Sequence, residues 1–419
     1  MNKRVIIFYN RIREQLWFRP FMFSLLSVVG ALIAHRADGI GINDHVPDID
    51  PESISGLLDT ISATMLVISI FAVASMLSAF SSASGTATPR SFKIVVTDDV
   101  SQNALSIFIG AFIFSIVATI ALDNGYYDKA GRFVLFLFTL LLFTVVILTF
   151  LRWVDRISRL GRLEHTIDQV ESVAIKCLST YIGQPNLKAL PIHGKFQDGI
   201  AVFANSIGYV QHVHVESLQE LAEEKDLRIR LNCLPGKFVH KNYAVAHFST
   251  NQTSDNDQTQ KSINNSVIIG NTRLFDDDPR FGLISLTEIA SRALSPGIND
   301  PGTAIQIIGS HERLFFLWNN KLQHNDDKKV TFDRVEVPRI AMEDFFNDAF
   351  RPIARDGANN IEVMLRLQKA FTSIATIDNP EIEEIVIRQS REAFHRAQKA
   401  IEFEHELEVL TKHCLFNNG

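Results

Sequence analysis

Residues 133–151, FVLFLFTLLLFTVVILTFL, form an uninterrupted apolar run without a single charged side chain. An α-helix of about 20 predominantly apolar residues is long enough to cross the hydrocarbon core of a bilayer. The run therefore predicts a transmembrane helix and places the chain among membrane proteins. Three further stretches are predominantly apolar over a similar length, namely residues 17–34, 56–80 and 104–122. We expect four transmembrane helices.

The first of these stretches has an alternative interpretation as a cleaved signal peptide, because basic residues precede it. The sequence that ends it, GALIAHRADG, offers only a poor small-residue cleavage site. We therefore expect it to remain as a membrane helix.

The charges around the four stretches predict the orientation. Basic residues precede the first helix, occupy the second loop and follow the fourth helix: Lys3, Arg4, Arg11, Arg13, Arg19, Arg90, Lys93, Arg152, Arg156, Arg159 and Arg162. The first loop is acidic, with Asp38, Asp44, Asp48, Asp50 and Glu52. Cytoplasmic loops are enriched in Lys and Arg. We expect a multi-pass membrane protein with both termini in the cytosol.

The overall charge and the cysteines exclude several classes. The 419 residues carry a formal net charge of −6 at pH 7, so no nucleic-acid partner is expected. Cys177, Cys233 and Cys414 are widely spaced and form neither a disulfide framework nor a CxxC metal pattern. We expect them to be small buried side chains.

The second apolar stretch differs from the others because polar and small residues are interleaved along it. Asp59, Ser62, Ser69 and Ser75 alternate there with alanines. Such a helix face either packs closely against other helices or lines a narrow wet pore in an oligomer. The four residues are candidate pore-lining positions.

Beyond the fourth stretch, an amphipathic pattern predicts that the helix continues to about residue 182. Its apolar residues are alternately three and four apart: Leu160, Leu163, Ile167, Val170, Ala174 and Cys177. This spacing is typical of a short coiled coil. It predicts either a stalk between subunits of a homo-oligomer or a seam that packs against its own domain.

Alternating β-branched residues then predict a small β-barrel or sandwich, with strands near 207–215, 227–233 and 242–248. Residues 249–264 are polar and non-periodic, which predicts a solvated loop. No lysine lies at a modification turn, and no tethered cofactor is expected. His212 and His214 share one strand face and could hold a metal if a third ligand existed, but a surface pair without metal is favoured.

The stretch SRALSPGINDPGTA (residues 291–304) is the most distinctive motif. Pro296 ends the helix before it, Gly297 supplies an unusual backbone conformation, and Asn299 or Asp300 caps the helix that begins at Pro301. The free amides at that helix start could also bind an anion. No Walker lysine follows and no catalytic set is evident, so a rigid structural turn is favoured over a ligand site.

This motif, RALSPGINDP, resembles the hallmark of a bacterial family of predicted integral membrane proteins catalogued as a domain of unknown function. Six other segments are similar to that family: LWFRPFMFSLLSVVG, SASGTATPRSFKIVVTDDVSQNALSIFIGAFIF, SIGYVQHVHVESL, LPGKFV, RLFDDDPRFGL and AFRPIARDGANN. The resemblance implies the architecture but no established activity. The positions on the pattern are Asp278, Ser295, Gly297, Asn299, Asp300 and Pro301, while Gly302 and the histidine pair depart from it.

The fold class expected is therefore a four-helix membrane domain with a cytosolic α+β region. The domains are residues 1–152 (transmembrane), 153–183 (helical stalk), 184–275 (β-rich) and 276–419 (helical bundle), with the last helix at 380–412. Three functions stay open: an oligomeric channel or transport-related protein with a cytosolic gating region, a membrane-anchored ligand sensor or enzyme that uses Asp300, and a non-catalytic scaffold. The expected partners are the lipid bilayer and further copies of the chain.

Overall fold

The computed structural model describes residues 17–40, 45–86, 88–96, 99–194, 196, 199–250, 256–323 and 330–415. The chain divides into a membrane unit, Met1–Thr166, and a C-terminal unit, Ile167–Gly419. Lys3, Arg4, Arg11, Arg13 and Asp44, which entered the orientation argument, lie outside the described residues.

The membrane unit contains the four apolar helices expected from the sequence, each long and apolar enough to cross a membrane. Its helices are α1 (Phe18–Arg36), α2 (Pro51–Thr86), the short α3 (Pro89–Val96), α4 (Asp99–Asp123) and α5 (Lys129–Arg159).

Helix α4 forms the centre of the membrane unit. Half of its 18-residue apolar segment is buried, whereas only 17 % of the corresponding segments of α1 and α5 is buried. Helices α1, α2 and α5 all pack along α4. Small residues permit this close approach: a Cβ on Gly110 would lie 3.2 Å from the Cβ of Phe23 on α1. The lipid-facing helices therefore surround α4.

The helix after α5 is interrupted, which corrects the expectation of one continuous helix to residue 182. Leu160 is extended, Gly161 has φ +85°, and a new helix α6 (Leu163–Gly183) begins two residues later. A Cβ at Gly161 would lie 3.0 Å from the carbonyl oxygen of Ala79. Only glycine combines this left-handed φ with so close a contact at low cost.

The apolar seam of α6 is buried inside its own chain. Ile167, Val170, Ala174 and Cys177 are all buried in the C-terminal unit, and a Cβ on Gly282 would overlap Ala174. Their burial accordingly needs no second subunit.

The C-terminal unit contains two small sheets. The strands are β1 (Ala189–Pro191), β2 (Ile200–Phe203), β3 (Gly208–Val213), β4 (Leu227–Leu231), β5 (Phe238–Val239), β6 (Ala244–Thr250), β7 (Val267–Gly270) and β8 (Phe332–Val337). One sheet has the order β1-β8-β4-β6-β2 and the other β5-β3-β7. β8 pairs in parallel with both β1 and β4, whereas the other pairs are antiparallel. The packing of the sheets as a barrel or sandwich stays a prediction.

The described part of this unit also contains eight further α-helices: α7 (Val215–Glu224), α8 (Asn256–Ser266), α9 (Pro279–Ala293), α10 (Pro301–Gln323), α11 (Met342–Asp356), α12 (Ile361–Ile374), α13 (Pro380–Ala400) and α14 (Glu404–Thr411). Their apolar faces bury aromatic residues, and Phe346, Phe350 and Phe371 are fully buried.

Two expectations in this region are wrong. The stretch 249–264 is not a solvated loop throughout, because α8 occupies most of it and buries Thr259 and Ile263 completely; residues 251–255 lie outside the described part. The last helix is not continuous either. Ile401 is extended (φ −91°, ψ 120°) and separates α13 from α14.

Candidate functional site

The four candidate pore-lining residues do not share one open face of α2. Asp59 is exposed and Ser62 and Ser75 are half-buried. Ser69 is only 8 % exposed and lies on the side of α2 that packs within the membrane unit. A path between subunits that includes both Asp59 and Ser69 would need the unit to repack.

The open face of α2 begins at Asp59 and continues through Thr60, Ala63 and Thr64, all of which are exposed. The hydroxyls of Thr60 and Thr64 donate to the backbone carbonyls of Gly56 (2.8 Å) and Thr60 (2.7 Å). Both hydroxyl hydrogens are thus donated within the helix, and Asp59 is the ionisable side chain among these four residues.

Two acidic residues of the first loop, Asp38 and Asp48, contact the start of α5. Asp38 accepts hydrogen bonds from the amides of Gly131 (2.6 Å) and Asp128 (3.0 Å), where α5 begins. Asp48 pairs with Arg132 at 2.7 Å. A carboxylate at a helix N-terminus satisfies free amides and complements the helix dipole. These contacts give the loop a structural role.

The hallmark turn is closed by its own hydrogen bonds. The Ser295 hydroxyl donates to the carbonyl of Arg292 (2.6 Å), and the Ser295 carbonyl accepts from the amide of Asn299 (2.9 Å). Asp300 caps α10: its carboxylate accepts from the amide (3.1 Å) and the hydroxyl (2.6 Å) of Thr303, and Pro301 begins the helix. The Asp300 carboxylate therefore already accepts from the Thr303 amide, one of the free amides that an external anion would bind.

The left-handed backbone conformation in this turn belongs to Asn299 and not to Gly297. Asn299 has φ +52°, while Gly297 is not among the residues with positive φ. Asparagine tolerates this region better than most residues because its short amide bonds locally. Gly297 is exposed, and nothing would lie within 4 Å of a Cβ there.

Asp278, the remaining motif residue, is the most deeply buried of the candidates at 2 % exposure. It caps α9 by accepting from the amide of Arg280 (3.2 Å), and Arg273 binds both of its oxygens at 2.6 and 3.0 Å. Burial raises the pKa of Asp278, and the Arg273 guanidinium only partly offsets this. Asp278 is thus part of a buried ion pair that also caps a helix, and this arrangement leaves no open position for a substrate.

Sequence reasoning missed a second buried polar joint, between α6 and α10. Glu171 accepts hydrogen bonds from Ser310 (2.6 Å) and from two nitrogens of Arg313 (both 2.6 Å). Burial opposes ionisation of Glu171, but these bonds and the Arg313 charge lower its pKa overall. The available signal was the polar group Ser310 to Arg313 within an otherwise apolar helix.

His311, next to this joint, is fully buried. Its Nε2 lies 2.9 Å from the hydroxyl oxygen of Thr287, and that hydroxyl donates to the carbonyl of Ala349. Nε2 must therefore carry the proton. Burial lowers the pKa of His311 to about 3, so the ring is neutral at physiological pH.

The two histidines of the predicted pair lie close together, but only His212 is on β3; His214 follows the strand and precedes the first residue of α7. The ring centroids of His212 and His214 are 4.3 Å apart, and Nδ1 of His212 lies 2.6 Å from Oδ2 of Asp277. No local pattern in the sequence predicts the contact between His212 and Asp277, which are 65 residues apart. Within the described ranges, no set of three or more His, Cys, Asp or Glu side chains has the arrangement of a metal centre.

The three cysteines are free and buried, as expected. Cys177 donates to the carbonyl of Asp276 at 3.5 Å. Burial, together with the nearby Asp278 and Asp277 carboxylates, raises the pKa of the Cys177 thiol to about 12. The thiol is therefore protonated and a poor nucleophile at neutral pH.

Comparison with known proteins agrees with the four apolar helices and names no activity. An uncharacterized protein of Mycobacterium bovis and one of Mycobacterium tuberculosis are each 34 % identical to this chain over 115 residues. The match covers 26 % of this chain and only 22 % of either relative. No solved structure matches. A family model described as "Predicted membrane protein (DUF2254)" matches residues 13–373, and the chain therefore belongs to this family of predicted membrane proteins.

Proposed function

We propose that the protein is a homo-oligomeric, channel- or transport-related protein of the bacterial inner (cytoplasmic) membrane, with both termini and the C-terminal unit in the cytosol. The carrying observation is the exposed polar face of α2, which begins at Asp59. A carboxylate on a membrane helix is costly in lipid and usually faces protein or water. Contact with a second copy of α2 would give this carboxylate both a protein neighbour and a hydrated path.

The composition of this face supports the proposal. Thr60, Ala63 and Thr64 follow Asp59 on the same side of α2. Small side chains let two helices approach closely, and a row of hydroxyls and carboxylates suits a narrow hydrated path. Ser69 and Ser75 are not needed for this arrangement.

Cysteine crosslinking tests the proposed contact. The three native cysteines are buried, so a background in which they are replaced by alanine gives a clean reference if it folds. In that background we expect Ala63→Cys to form an intermolecular disulfide in native membranes. Leu141→Cys is the matched control, because Leu141 is exposed on α5 and is expected to face lipid. Equal crosslinking at both positions, or at neither, contradicts the proposal.

Ion flux tests the activity. We expect cation flux from liposomes containing the purified protein, reduced by Asp59→Asn and blocked by Ala63→Phe. Leu141→Phe serves as the control for bulk added on the lipid side. Crosslinking at Ala63 without flux under any ionic gradient would leave an oligomer but reject the channel.

A specific observation also favours the scaffold function. The β-rich part of the C-terminal unit exposes Phe203, Ile207 and Phe238 by more than half of their surface. A contiguous surface of such apolar side chains is typical of a protein-binding site. A photoreactive residue at Phe238 should then capture one defined protein in cells, and a photoreactive residue at exposed Lys241 should not. The sensor or enzyme alternative at Asp300 lacks such an observation, because Thr303 engages both carboxylate oxygens.

A further inference from the structure

We propose that His212 and His214 form a binding site for a divalent transition-metal ion of the zinc class, with Asp277 as the carboxylate that orients His212. The inference is independent of the α2 proposal, because it concerns only the C-terminal unit. It rests on the placement of the two rings, on the His212–Asp277 bond and on the exposure of both partners.

The end of β3 and the residue that follows it leave both imidazoles half-buried at the edge of the core. Val210, Val213 and Val215 are buried in the core of the β-rich part, whereas His212 and His214 are half-buried. The pairing of β3 with β7 is irregular between Val210 and His212. Beyond this irregularity the half-buried His212 and His214 alternate with the buried Val213 and Val215. The two rings meet edge to face with centroids 4.3 Å apart, so two nitrogen ligands of the type preferred by zinc, copper and nickel lie side by side.

Asp277 determines which nitrogen of His212 is available. A carboxylate only accepts hydrogen bonds, so Nδ1 of His212, at 2.6 Å from Oδ2, must be the donor. In the neutral ring the lone pair is then on Nε2. Histidine ligands of metals almost always donate their other nitrogen to a carboxylate or carbonyl in this way, which fixes the ring and raises its basicity.

The site is accessible to an ion from solvent. The side chain of His212 is 38 % exposed and that of Asp277 is 39 % exposed. With two protein nitrogens, water would complete the coordination, whereas catalytic zinc sites have three protein ligands and one water.

Occupation of the site would connect two parts of the C-terminal unit. His212 lies on β3, and Asp277 directly precedes Asp278, the cap of α9. A metal that fixes His212 would hold Asp277 through the hydrogen bond. The start of α9 should therefore exchange its amide hydrogens more slowly in the bound protein.

The test uses the full-length protein in detergent, purified with a tag that contains no histidine and stripped with a chelator. Zn²⁺ is titrated against a chromophoric competitor, and Co²⁺ serves as a spectroscopic probe of nitrogen ligation. We expect one equivalent per chain, lost in His212→Ala and in His214→Ala. Asp277→Asn, which keeps both rings, should weaken binding 10–100-fold.

His193→Ala is the matched control, because His193 is an exposed histidine elsewhere in the β-rich part; it should bind like the wild type. Amide exchange at residues 276–280 should slow with Zn²⁺ in the wild type only. Absence of saturable binding overturns the proposal. So does binding that survives both histidine substitutions, or that is unchanged in Asp277→Asn. Since Asp277→Asn leaves both rings in place, it remains informative even if a histidine variant misfolds.

Discussion

Gly236 lies directly against the carboxylate of Asp278, so close that a Cβ on the glycine would overlap the carboxylate oxygens. Gly236 also has a left-handed backbone, with φ +92°. The contact joins the turn before β5 to the start of α9. Two motifs that are far apart in the sequence, LPGKFV and RLFDDDPRFGL, therefore form one joint.

Gly236→Ala should destabilise the C-terminal unit by about 2–4 kcal/mol, because it adds backbone strain and a steric overlap with a buried carboxylate. Gly194→Ala is the control: its φ is +66°, but nothing lies within 4 Å of its Cβ position, so only strain of about 1 kcal/mol is expected. Trp318 reports on this unit once Trp17 and Trp153 are replaced by phenylalanine. Equal losses in the two alanine variants would show that the overlap is relieved.

Arg273→Ala should cost about 3–5 kcal/mol, because it leaves the buried Asp278 carboxylate without its ionic partner. The control is Arg355→Ala, which breaks a pair with Asp356 in which the arginine side chain is 63 % exposed. Exposed pairs contribute about 0–1 kcal/mol. The same Trp318 unfolding transition measures both. A small effect at Arg273 would mean that water or another base replaces it.

The hallmark turn should respond to substitution as a helix cap. Asp300→Ala should cost about 1 kcal/mol through loss of the Thr303 contacts. Gly297→Ala should change stability by less than about 0.5 kcal/mol, because its φ is not left-handed and its Cβ position is open. Thermal unfolding of the full-length protein compares them. A loss of function in Gly297→Ala at unchanged stability would instead reveal a binding role for the turn.

The buried His311 should make stability fall with pH in the acid range. Its folded pKa of about 3 lies below the ordinary 6.5, so only the unfolded state takes up a proton between these values. Its contribution is complete above pH 6.5 and decreases as the pH falls towards 3. By linkage, about 2 kcal/mol is lost between pH 7 and pH 5. His311→Phe should flatten this part of the profile in Trp318 unfolding measurements, and an unchanged slope would assign it to other groups.

The membrane helices and the hallmark turn were predictable because local chemistry determines them. A run such as residues 133–151 has few alternatives to a helix in lipid. In the turn, Pro301 and Asp300 have the chemistry of a helix start, and the structure uses both in that way. The prediction of an unusual backbone conformation at Gly297 was wrong, because a glycine permits a left-handed conformation but does not require one.

The missed elements depend on contacts that no local pattern specifies. α8 has only one large apolar residue, Ile263, and its burial comes from the rest of the unit. For β8 a signal existed, because Val335 and Val337 alternate with polar residues and are both fully buried. Asp277 approaches His212 from 65 residues away, and the Glu171–Arg313 pair spans 142. Such pairs follow from the tertiary fold.

The parallel pairing of β8 has a consequence for the order of events during synthesis. β1 and β4 emerge from the ribosome early, yet the strand that lies between them ends at Val337. Until that residue is free, both earlier strands keep an unsatisfied edge, which is a template for wrong pairing. The β-rich part therefore cannot complete its sheet cotranslationally before α10 has been made, although most of its strands precede that helix.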